Sequence, residues 1–266
     1  MIVRSFVLAT LVAAAGSAAA YPGGTPSYQT DVAPFCAGCH ASRDVAALAG
    51  AGERATKELV PNKHLAVIRA GEAKSPYAKL SAADRATLVK HIEALDAASG
   101  VILEAPASVK PGETFTVIVK VTGGAGPVVG VGLVDRAHRW YARPAASVGW
   151  QVAAAPVVRS SGEEKTDWLH KRPADMGRNL SFVNVTGIHS DAAQNSFATA
   201  QVTWTLRAPK ETGELPLAAV YLYGTEKGSP LGITTGPLGR KGNVGGLGAG
   251  AGRVMFTPVK TISVQP

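Results

Sequence analysis

Two hydrophobic rhythms divide the chain. Up to Gly100 apolar residues recur at helical spacing, and beyond it they alternate with polar ones. Leu88, Ile92 and Leu95 fall at i, i+4 and i+7 and form one stripe. Ser81 stands at the N-cap of that segment, Asp84 three residues on acts as a short capping-box acid, and Gly100 ends the pattern. Upstream, Pro61-Asn62 predicts a helix start, Leu65 and Ile68 give an apolar i,i+3 pair, and Gly71 closes the helix. A further helical segment is predicted over 31–41, after an extended Pro- and Gly-containing arm over 21–30.

After Gly100 the period becomes two. Val109-Lys110-Pro111-Gly112-Glu113 predicts a turn; Phe115, Val117, Val119 and Val121 then face one way, and Thr114, Thr116, Ile118 and Lys120 the other. Further strands are predicted over 128–134, 148–153, 180–188, 198–206, 217–223 and 253–264. About seven short strands punctuated by Gly, Pro, Asn and Asp predict an immunoglobulin-like β-sandwich. The expected fold class is therefore multidomain, α plus all-β. Residues 1–20 form a leader, 21–100 a small helical domain, and 101–266 the sandwich.

The leader rests on three features. Arg4 gives a positive start, Phe6 to Ala15 is an apolar run too short to span a bilayer, and Ala18-Ala19-Ala20 offers small residues for cleavage before Tyr21. The chain is thus expected to be exported, to the periplasm or beyond, in a bacterium. No later apolar run is long enough for a span, so no membrane span is expected after cleavage. The net charge of +8 in 266 residues includes Arg4, and the rest is spread along the chain. It suits steering toward an acidic partner. Aromatic residues do not interleave with the basic ones, so no nucleic-acid partner is expected.

Chemistry concentrates at Cys36-Ala37-Gly38-Cys39-His40. Two thiols three positions apart lie on one side of a helical turn and can add to the two vinyl groups of one haem. The adjoining imidazole is placed to bind the iron as proximal ligand. A zinc site would want a second ligand pair, yet Cys36 and Cys39 are the only cysteines. A dithiol redox site would want a βαβ context, whereas these flanks are Ala-rich and helical. One covalently held haem c is the expected cofactor. With both thiols so used the chain has no disulfide, and its length suffices to fold on burial alone.

Over roughly residues 25–97 the chain resembles a small class I cytochrome c. The resemblance rests on Cys36-Ala37-Gly38-Cys39-His40, a middle helix ending at Gly71, and Ser75-Pro76-Tyr77-Ala78-Lys79-Leu80-Ser81 leading into the last helix. It implies a small helical cytochrome c domain with the haem as its core. In that family a methionine usually precedes the proline and binds the iron distally; here Ser75 stands there, and no methionine lies between Thr30 and Gly100. The distal position is then open or water-filled, or taken by His64, by Lys74, or by His189, His170, His138 or Met176 from the second half. His64 is the candidate distal iron ligand within the helical part. His91, where the family often has an aromatic residue, is expected to pack against the ring.

The second half resembles reeler-like domains, which occur fused to haem-attachment segments in some exported bacterial proteins. The likeness rests on Pro111-Gly112-Glu113 before a strand, and on Trp204-x-x-x-Ala208-Pro209 followed by Gly213 and a Val/Tyr strand. Two loops remain. Residues 160–179 carry Trp168, His170, Lys171 and Arg172, for the haem edge, a partner or solvent. The Gly-rich stretch 224–252 lacks the Lys-Ser/Thr of a phosphate loop and predicts a flexible hairpin.

No Ser/His/Asp set or paired-carboxylate pattern points to catalysis. The sequence predicts an exported mono-haem c-type cytochrome carrying single electrons between periplasmic redox partner proteins, with the β-module as docking surface. The alternative is a haem enzyme subunit or a small-ligand sensor with an open distal iron site.

Overall fold

The computed structural model describes residues 60–136, 142–166, 180–227, 229–235, 241–246 and 251–266. The attachment motif, the leader, the arm and the helical segment expected over 31–41 lie outside the described residues.

Two helices come first, α1 (Val60–Ala70) and α2 (Ala82–Ala98). Gly71 closes α1 in the left-handed region at φ 59°, its N–H donating to Val67 O, a backbone shape that glycine adopts without strain. Ser81 caps α2 as expected, its side chain accepting from the Asp84 N–H at 3.1 Å. The helix ends at Ala98, two residues before the expected terminator. The Ser99 hydroxyl and N–H both donate to Leu95 O, and Gly100 already belongs to a strand.

The strands are β1 (Gly100–Glu104), β2 (Ser108–Val109), β3 (Thr114–Thr122), β4 (Val128–Val134), β5 (Gln151–Val152), β6 (Val157–Ser160), β7 (Glu163–Glu164), β8 (Phe182–Thr186), β9 (Thr199–Arg207), β10 (Gly213–Gly224), β11 (Ser229–Thr235), β12 (Lys241–Gly246), β13 (Gly252–Phe256) and β14 (Lys260–Val264). One sheet runs β1-β3-β9-β6-β7, with β5 also on β9. The other runs β2-β14-β10-β4-β8, with β13 also on β10. β11 and β12 form a separate hairpin within the Gly-rich stretch.

Period-two alternation places the core. Phe115, Val117, Val119 and Val121 of β3 pair directly with Leu206, Trp204, Val202 and Ala200 of β9, and all eight are buried. They pack on Val129, Val131, Leu133, Tyr221 and Tyr223 from the other sheet. β4 is buried along its whole length. Its other face carries Val128 and Val134, clustered with Phe182, Val220, Leu222 and Val254. A strand covered on both faces is apolar throughout rather than alternating. Trp150 and Trp204 are fully buried, and their indole N–H groups donate to Pro216 O at 3.0 Å and Leu180 O at 2.6 Å.

The single strand expected over 253–264 is two strands along the same edge of β10. Thr257 interrupts them. Its N–H donates to Ala219 O while its hydroxyl accepts the Ala219 N–H, and Pro258 beyond has no N–H for the ladder.

The expected fold class is corrected here. The described residues are mostly β-strands in two sheets with two short helices, not a helical cytochrome c domain followed by a separate sandwich. The physical reason lies in what the helices bury. Among the described residues they enclose between themselves only Ile68, Val89 and Ile92, flanked by Leu65, Tyr77 and Leu88. α2 then continues into β1 with one residue between them, and its last turn is bonded to β10 and β13. The helix pair is a cap on the sandwich. No helix among the described residues is long and apolar enough to cross a membrane.

Candidate functional site

Where the helix pair meets the sandwich, a chain of polar side chains is enclosed. Arg253 of β13 is fully buried, in register with Tyr223 of β10. Its Nε donates to Asp96 Oδ2 at 3.0 Å, and the Tyr223 hydroxyl donates to Asp96 Oδ1 at 2.9 Å. Asp96 lies in the last turn of α2, where the negative end of the helix dipole disfavours a carboxylate. The guanidinium makes that placement tenable.

His64 of α1 continues the chain. It is buried, and Arg253 Nη2 lies 3.3 Å from its Nδ1. A guanidinium can only donate, so Nδ1 accepts and Nε2 carries the hydrogen. Nε2 faces Glu226 Oε2 at 2.8 Å and the Tyr77 hydroxyl at 2.8 Å, and that hydroxyl donates to Glu226 at 2.7 Å. Burial alone would raise the Glu226 carboxyl. The hydrogen bonds from His64 and Tyr77 and the nearby His64 and Arg253 outweigh it and hold Glu226 below the usual carboxylate range. Burial, with the Glu226 carboxylate second, pushes the Tyr77 phenol well above its ordinary value.

Glu226 also borders a cleft of about 620 Å³. α2 gives Leu88, His91 and Leu95 to one wall. The segment after β8 gives His189, Ser190 and Asp191, and the turn after β10 gives Thr225, Glu226 and Lys227. Asp191 caps a short 3-10 turn through the Ala193 and Gln194 N–H groups. Neither the His91 ring nor the His189 ring has a hydrogen-bond partner among the described residues.

The residues singled out in the sequence therefore fall in three places. Cys36, Cys39 and His40 lie outside the described residues, as do His138, His170 and Met176 and the greater part of the 160–179 loop. His64 sits inside the buried network with both ring nitrogens engaged; binding iron would require it to leave Arg253 or Glu226. Lys74 is exposed, and Ser75, at the vacated methionine position, has a buried hydroxyl with no partner. His91 and His189 share the cleft. Among the described residues no three His, Cys, Asp or Glu side chains group as metal ligands.

Sequence reasoning missed Arg253, Asp96, Glu226 and Tyr77. Two signals were present: a lone arginine within the strand pattern Gly252–Phe256, and an acid in the last turn of a helix with no basic residue there. No protein-family description matches the chain, and no curated protein matches it.

Proposed function

We propose that this chain is an exported c-type cytochrome passing single electrons between periplasmic redox partners, with one haem c held by Cys36, Cys39 and His40. The observation that carries the reading is that donor set: two thiols at the spacing of two vinyl groups, an imidazole next in the chain, and no other cysteine. Its chemistry fits haem c and fits zinc poorly. Haem c supplies a one-electron iron couple. The two thiols hold the ring covalently, and the His40 imidazole binds the iron from the proximal side. Ser75 offers a hydroxyl where a thioether would raise the potential, so a lower potential is expected than for His/Met ligation. Arg253, Asp96, Tyr223, His64 and Glu226 tie the helix pair to the sandwich, whose role in this reading is to dock the redox partner.

The test is the protein produced with a working haem-maturation system. Colour should persist through a denaturing gel and through acidified organic solvent, and should be lost in Cys36→Ala/Cys39→Ala. Colourless wild-type protein, or pigment extracted by the solvent, overturns the reading.

The engagement of both His64 nitrogens favours a second reading, a haem enzyme subunit or small-ligand sensor whose distal iron position is open. A high-spin ferric spectrum that shifts with cyanide, and a ferrous one that shifts with carbon monoxide, would select it.

A further inference from the structure

We draw no further inference here: the strongest candidate, the cleft between α2 and the segment following β8, sets the Asp191 and Glu226 carboxylates and the His91 and His189 imidazoles on an open wall of mostly small and polar residues, and no buried polar side chain there is left without a partner to say what ligand would fill it.

Discussion

Arg253 Nε lies 3.0 Å from Asp96 Oδ2, across 157 positions of sequence. This contact, with its neighbours Tyr223 and His64, fastens the last turn of α2 to the edge of the second sheet. Breaking one side takes from a fully buried guanidinium the carboxylate to which its Nε is bonded. Such losses cost about 3–5 kcal/mol. Asp96→Ala should lower unfolding stability by that order in urea titrations, and Asp96→Asn, which keeps acceptor geometry, by less. Equal stability of Asp96→Ala and wild type would show that the pair does not hold the cap.

Glu226 and Tyr77 give the same junction an acid and an alkaline limit. The Glu226 carboxyl is held below its unfolded value, so its contribution is complete above the ordinary carboxylate range near about 4.3 and is lost as pH falls through the folded value. The Tyr77 phenol is held above its unfolded value, so its contribution is complete below about 10 and declines as pH rises past that point. Stability against pH should therefore be flat from these two groups across neutrality and fall at both ends. Glu226→Gln should blunt the acid limb and Tyr77→Phe the alkaline one, as read by midpoints of thermal unfolding at stepped pH.

Gly126 should not tolerate a side chain. It has φ +75°, and a Cβ there would overlap the carbonyl oxygen of Ile188. The residue after Ile188 is His189, so strain at Gly126 is delivered to the cleft. Gly126→Ala should cost more than the ~1 kcal/mol of an ordinary glycine replacement and should broaden the His189 imidazole signals in nuclear magnetic resonance. Gly112→Ala shares the positive φ but meets nothing within 4 Å, and serves as the control.

Trp204 anchors the sandwich from β9, fully buried with its N–H on Leu180 O. Trp204→Ala should destabilise by about 3–5 kcal/mol, and Trp204→Phe by less, since it retains most of the buried area and forfeits the hydrogen bond. The measurement is chemical unfolding followed by far-ultraviolet circular dichroism. A loss under 1 kcal/mol for the alanine variant would contradict the packing described.

Much of the strand content was legible because a strand's parity is local. The run 128–134 coincides with β4 to the residue, and the inward set of β3 is the set that alternation marks. The Ser81 cap was legible for the same reason, since a cap is a matter of four consecutive residues. The fold class was not. Helical spacing says that Leu88, Ile92 and Leu95 share a stripe, but not what that stripe meets. Ile92 joins α1, while Leu95 turns toward the cleft under the sandwich. The resemblance to a small helical domain supplied a partner for those residues that the described structure does not.

The sequence by itself determined that Cys36, Cys39 and His40 stand in the order C-x-x-C-H, the local motif on which the proposed haem attachment rests. It likewise determined which faces of β3, β9 and β10 are apolar. Only the tertiary structure decided that the helices cap the sandwich, that His64 is enclosed between Arg253 and Glu226, and that His91 and His189 share one cleft. Each of those relationships joins positions tens to hundreds of residues apart. Contacts at such separations are selected by which buried charges can be compensated and which apolar faces can be covered, and neither is written in any local stretch of sequence.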